Sequence, residues 1–258
     1  NVNNGTLTSL PQAVTPGTDQ YSLDLSLIGS GLVAGDEIQY RIKATDQSNN
    51  TTVLPATGFF RVPLLSFGST VTTYVSDFNS VTTDFVGNFF SVTTPTGFSN
   101  GAVHSSHPYL NGFGLDNTSS FMFMLKKPVI IDATNPYLNF DEIVLTEFSG
   151  TAVRDFVVVE GSKDKGATWL PLLDSYTANA EVDWAVALLA KTDGSPSLFR
   201  NRQFDITKNG NFKAGDAVLF RFRLLANATT NGWGWAIDNL SIQGPITGLE
   251  KPITNSFQ

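Results

Sequence analysis

Cysteine is absent from the 258 residues. That excludes disulfide frameworks, thiolate metal sites and cysteine nucleophiles together. Histidine is almost absent: His104 and His107 are the two, and His-x-x-His with no third nitrogen or thiolate beside it is a weak metal signal, since zinc needs three or four ligands. Charged residues are only 15% and the formal net charge is -7. Phosphate binding needs clustered Lys and Arg, and Lys126-Lys127 is the one basic pair, so a nucleic-acid surface is excluded. No apolar run approaches the roughly 18 residues of a membrane-spanning helix. Gly-rich phosphate loops, low-complexity tracts and a Gly-x-Ser-x-Gly elbow are missing as well.

What is abundant is strand and turn chemistry. Hydrophobic residues make up 41%, twenty of them phenylalanine, enough to bury a substantial core. Thr, Ser, Asn and Gly fill the positions between, so the fold class is all-β. In a first domain, residues 1–65, Tyr21 to Ile28 alternates. Glu37 to Ala44 alternates strictly, which predicts Ile38, Tyr40, Ile42 and Ala44 on one face. A turn over Asp46 to Asn50 and a strand over Gly58 to Val62 follow. Three or four short strands suit an Ig-like or fibronectin-type sandwich truncated at its N-terminus. Only two residues precede the Asn-Gly turn signature at Asn3 to Gly5, so its pairing strand is expected upstream.

The second domain is expected over residues 70–245. Its strands read as Phe121 to Leu125, Tyr137 to Thr146, Asp155 to Gly161, Trp169 to Leu173, Arg202 to Ile206, Ala217 to Leu225 and Trp233 to Ile242, with one helix over Val182 to Leu189. Eight or more antiparallel strands with long loops predict a jelly-roll β-sandwich. Residues 246–258 lose all periodicity and read as a linker.

Particular segments carry resemblances. Tyr40-Arg41-Ile42-Lys43-Ala44-Thr45-Asp46, with Leu54 to Gly58, resembles the sandwich spacers of Bacteroidota surface proteins and exopeptidases. Lys163-Asp164-Lys165-Gly166-Ala167-Thr168-Trp169 is taken together with Phe140-Asp141-Glu142-Ile143, Asp155 to Ser162 and Gly232-Trp233-Gly234-Trp235-Ala236-Ile237-Asp238-Asn239. This set resembles the jelly rolls of MAM domains and of immune-inhibitor-A-type secreted peptidases over most of residues 77–243. Gly248-Leu249-Glu250-Lys251-Pro252 is similar to the linker that precedes the C-terminal sorting domain of type IX secretion cargo in Bacteroidota. That domain opens with a Pro-Asn-Pro motif, which this chain lacks. The resemblance implies the type IX secretion machinery and a surface sortase as partners, a missing C-terminal sorting domain, and an extracellular or outer-membrane-surface location in a bacterium.

The jelly-roll resemblance also implies a structural calcium ion held near the chain ends by an acid of the last strand. Asp238 is that acid, with Asp77, Asn79, Glu142 or backbone carbonyls as further oxygen ligands, because calcium takes six to eight oxygens. The plain reading of Asp238 is a strand-end aspartate bonded to backbone amides. His104 and His107 read as loop-tying hydrogen-bonders. Asp141 and Glu142 are neighbours in a strand and point to opposite faces, so they cannot flank one glycosidic bond. Arg221 and Arg223 share a polar face and are expected to pair with Asp141, Glu142 or Glu147. Trp184, Tyr109, Phe113 and Trp233 are the candidate sugar-stacking aromatics, although most aromatics must be core.

No nucleophile, base or catalytic metal set assembles from these motifs. The expected function is a non-catalytic structural or adhesive module pair of a secreted, surface-displayed type IX cargo, with a surface glycan or protein as ligand. Two alternatives stand beside it: an accessory domain of a secreted peptidase or other hydrolase whose catalytic domain lies upstream, and a dedicated carbohydrate-binding module.

Overall fold

The computed structural model describes residues 2–3, 5–6, 13–14, 21–22, 32–33, 36–112, 118–148 and 155–245. The chain divides into two compact units, Asn1–Phe67 and Gly68–Gln258.

In the first unit β1 (Ala13–Val14) pairs with β2 (Tyr21–Ser22). A nested hairpin follows: β3 (Glu37–Tyr40) pairs with β6 (Phe60–Pro63), and inside it β4 (Ile42–Thr45) pairs with β5 (Thr51–Leu54). Its tip is the expected turn. Asp46 Oδ1 accepts the amides of Ser48 and Asn50, and Asn49 takes a positive φ of 64°, a conformation Asn tolerates better than most residues. The single apolar face expected over Ile38 to Ala44 does not form. Ile38 is buried, whereas Tyr40 and Ile42 are 38% and 46% exposed. The strand is broken at Arg41, whose guanidinium lies 4.3 Å from the Phe59 ring centroid, so the alternation does not run through. The Ig-like sandwich expected here extends into residues outside the described set.

The second unit is an antiparallel β-sandwich of jelly-roll type. Its strands are β7 (Tyr74–Ser76), β8 (Phe85–Asn88), β9 (Phe90–Thr93), β10 (Ala102–Ser105), β11 (Ser119–Leu125), β12 (Val129–Ile130), β13 (Tyr137–Leu145), β14 (Phe156–Ser162), β15 (Leu170–Pro171), β16 (Arg200–Asp205), β17 (Ala217–Ala226) and β18 (Gly234–Ile242). One sheet runs β16-β13-β18-β10-β9, with β7 also on β18; the other runs β15-β14-β17-β11-β8, with β12 also on β17. The seven long strands read from sequence are present, although the one expected over Trp169 to Leu173 shortens to two residues. The helix α1 occupies Val182–Leu189, as expected.

Between the sheets the aromatics interlock. Phe85 stacks on Phe123 at 4.2 Å, and Trp235 meets Phe222 and Phe90 edge-on at 5.7 and 6.2 Å. Fully burying each such ring stabilises the fold by roughly 2–3 kcal/mol. This pattern fixes the faces: Phe140, Glu142, Val144, Trp235, Phe123 and Phe222 point inward, and their strand neighbours point outward.

Candidate functional site

Four positions carried the calcium expectation, and they fall into two separate networks. In the outer face of the first sheet, Asp238 lies directly across from Asp141. Burial, opposed by the Asn239 amide and reinforced by the negative charges of Asp141 and Asp77, pushes the Asp238 carboxyl up to about 6. Asp77 holds Asn79 in a tight turn, accepting its amide at 3.1 Å and its side-chain nitrogen at 2.9 Å. Asp141 accepts from Asn201 at 2.8 Å and Asn239 at 2.9 Å. Nearby on the same face, the side-chain oxygens of Asn139, Asn201 and Ser241 are buried without partners. All these donors are hard oxygens, the chemistry calcium prefers. Among the described residues no three acidic or histidine side chains converge closely enough to hold a metal.

Glu142 is not part of that face. It points inward, fully buried, where it accepts from Arg202 Nε at 2.7 Å, Tyr176 Oη at 2.9 Å and Trp235 Nε1 at 2.8 Å. Burial raises its carboxyl above the usual range, and Arg202 opposes that rise. Arg202 also reaches Glu181 at 3.0 Å and lies 4.9 Å from the Trp184 ring centroid. The opposite-face reading of Asp141 and Glu142 therefore holds, while Glu142 as a partner of Asp238 does not.

The two histidines form one unit. His107 Nδ1 lies 2.8 Å from the Trp233 carbonyl oxygen, and its Nε2 lies 2.8 Å from His104 Nδ1. A carbonyl can only accept, so His107 carries its proton on Nδ1 and His104 donates from Nδ1. His104 Nε2 is then a bare acceptor, buried without a partner. Burial, with His107 adding to it, depresses His104 to about 3. Trp233 stacks on His107 at 3.7 Å, which ties the loop as expected and removes one ring face from any sugar.

The sugar-stacking candidates are corrected in the same way. Trp184 and Tyr109 are core residues: Trp184 Nε1 donates to the Leu198 carbonyl, and Tyr109 donates to Asp155. Phe113 lies outside the described residues.

The constellation that sequence reasoning missed is on the outer face of the second sheet. Arg221 and Arg223 of β17 do not pair with Asp141, Glu142 or Glu147. They flank Glu160 of the adjacent β14, with Arg221 Nε at 2.7 Å, Arg223 Nε at 2.8 Å and Arg223 Nη2 at 2.8 Å. The register puts Glu160 opposite Arg221 and Val158 opposite Arg223. Burial pushes Glu160 up, and the two guanidiniums more than offset it, leaving the carboxyl below its ordinary range. Trp169 lies 4.2 Å from the Arg221 guanidinium and Phe156 5.7 Å from that of Arg223. Trp169 is delivered by the turn after β14. There Ser162 and Asp164 accept the amides of Gly166 and Thr168 at 2.8 Å each, and Gly166 takes a φ of 90° that favours glycine. The Phe220-Arg221-Phe222-Arg223 alternation revealed the polar face. Glu160, embedded in the apolar run Val157-Val158-Val159, was the available signal for its partner.

No family model and no curated protein matches the chain. Among solved structures the chain is similar to a carbohydrate-binding module specific for non-crystalline cellulose, at 14% identity over 60% of this chain and 82% of that one, with a TM-score of 0.40. It is also similar to the K1 cleaved adhesin domain of Lys-gingipain from Porphyromonas gingivalis, at 15% identity over 69% and 99%, with a TM-score of 0.40. A third similar structure is a carbohydrate-binding module of promiscuous specificity from the β-sandwich superfamily, at 10% identity over 79% and 72%, with a TM-score of 0.31. The sandwich architecture of this chain rests on its own strand order and inward-facing core.

Proposed function

We propose that this chain is a non-catalytic adhesive module of a secreted, surface-displayed bacterial protein, and that it binds a glycan through the outer face of its second sheet. The observation that carries the reading is the Arg221–Glu160–Arg223 row with Trp169 beside it. Polar side chains lie there on the middle strands of a sheet and are held in fixed orientation by one another. Binding sites of this kind combine apolar area with a few oriented polar groups. The acidic, cysteine-free, strand-rich composition supports an extracellular setting. Export as type IX cargo, with the secretion machinery and sortase as partners, rests on the Gly248 to Pro252 resemblance, which lies outside the described residues.

The test is a glycan array probed with the full chain, alongside turnover assays on peptide, ester and glycoside substrates. Retention of at least one glycan class without turnover is the expected result. Absence of binding to every glycan, or hydrolysis abolished by a point change within the chain, would overturn the reading. Labelling of intact cells of the source bacterium with an antibody to the jelly-roll unit tests surface display, and signal only after lysis would remove it.

A further inference from the structure

The Arg221–Glu160–Arg223 row is charge-imbalanced. Glu160 engages three N–H groups out of the ten that two guanidiniums carry. It offsets one positive charge of two. The remaining guanidinium N–H groups have no protein acceptor among the described residues. The row therefore presents a net single positive charge and an open fork of donors on a protein whose net charge is -7.

Most surface arginines lose rotamer freedom when they bind. These two have lost much of it already. Their side chains are only 17% and 19% exposed, Arg223 grips Glu160 with two nitrogens, and rings of Trp169 and Phe156 flank the pair. Among the described residues Arg221 is held through Nε alone, which leaves its two terminal nitrogens together as a planar edge. Such an edge matches a carboxylate in bidentate geometry.

We infer that the ligand is an acidic polysaccharide, one whose uronate carboxylates dock on the planar edges of Arg221 and Arg223. This inference rests on the glycan-binding reading above. The position within the sheet favours a saccharide over an acidic peptide. β17 is paired along this stretch by β14 on one side and β11 on the other. An extended peptide would find no unpaired backbone to read there, and the ligand must be recognised by side chains alone.

The test is calorimetric titration of the full chain with oligogalacturonate, with a cello-oligosaccharide of equal length and with polyglutamate, at low and high salt. Oligogalacturonate is expected to bind at least about tenfold tighter than the neutral sugar, the scale of one charge-assisted hydrogen bond, and to weaken as salt rises. Arg221→Gln removes the excess charge while leaving Glu160 gripped by Arg223, and it should abolish the preference for the acidic sugar. Glu160→Gln raises the charge of the row and should widen the ratio of oligogalacturonate affinity to neutral-sugar affinity. A loss in one variant and a gain in the other cannot both come from misfolding, and thermal melts of each check the fold. Equal affinity for acidic and neutral sugars, indifferent to both substitutions, would overturn this inference and leave the glycan-binding reading intact. Polyglutamate binding as tightly as oligogalacturonate would overturn the saccharide assignment. No binding to any sugar would overturn both.

Discussion

The histidine pair shows how a buried residue sets a pH limit. A second proton on His104 would sit on Nε2, which has no acceptor, and one on His107 Nε2 would oppose the proton His104 donates. His104 is depressed to about 3, and His107 is lowered too, chiefly by burial. In the unfolded chain both titrate near the ordinary value of about 6.5. Below that pH the unfolded state binds the extra protons, so stability falls as pH drops from about 6.5 toward 3, by up to about 1.4 kcal/mol per pH unit per histidine. Urea melts of wild type and His104→Asn across this range should diverge at neutral pH and converge in acid. Parallel curves would show that the pair does not govern the acid limit. Asp238 has the opposite sign. Its carboxyl stands at about 6 in the folded state against about 3.9 unfolded, a penalty fully present above pH 6 and relieved as pH falls toward 4. It costs on the order of 3 kcal/mol at neutral pH unless a cation neutralises it. Calcium is therefore expected to raise the melting temperature relative to EDTA by binding the folded state only, and Asp238→Asn should both stabilise the calcium-free protein and erase the calcium response. Identical wild-type melts in calcium and EDTA would remove the ion. Asp238 was legible in the sequence because an acid between Ile237 and Leu240 demands an explanation. Glu142 was not, because apolar residues flank both Asp141 and Glu142 and periodicity alone does not say which face is inside.

At the scale of elements, long strands declared themselves and short ones did not. β13, β14, β17 and β18 each run seven residues or more with dense β-branched or aromatic content, and α1 stood out by its period. β7 to β10 went unread. The chain from Phe85 to Thr93 contains Gly87, where a Cβ would run into the Met122 carbonyl, and Phe89 at a positive φ of 58°. Gly and Asn are depleted in strands, and tertiary packing makes them strand here. Ion pairing between strands was equally hidden, since Glu160 and Arg221 are sixty-one positions apart. The same holds for Glu142 and Arg202, whose pair sits between the sheets with Tyr176 and Trp235. Removing one partner strands the other charge, which costs about 3–5 kcal/mol at buried sites. Glu142→Leu alone should therefore lower stability by about that much. Glu142→Leu combined with Arg202→Met should lower it by clearly less than the sum of the single changes. Additive losses in urea denaturation would show that the two side chains are not energetically coupled.

The larger unit of the molecule is organised by where its ends meet. In the second unit the first strand, β7, pairs with the last, β18, through Leu240 to Ser76 and Ile242 to Tyr74. Strand pairing of the two ends closes the sheet, and Tyr74, Leu240 and Ile242 all belong to its core. No described core residue of this unit lies before 71 or after 242. A protein of residues 68–245 should therefore fold by itself, with a melting temperature within about 2 °C of the second unit's transition in the full chain, since about 1 kcal/mol moves Tm by 2–4 °C at this size. Removing 246–258 alone should change stability by no more than about 0.5 kcal/mol, as surface changes do. Glycan affinity should travel with 68–245 unchanged, because Glu160, Trp169, Arg221 and Arg223 all lie inside it. Deleting Tyr74 to Ser76, by contrast, exposes the edge of β18 and a core tyrosine, and should unfold the unit. Calorimetry decides it: a 68–245 protein that melts without cooperativity, or that folds but loses its glycan, would show that residues 1–67 complete the sandwich or its binding face.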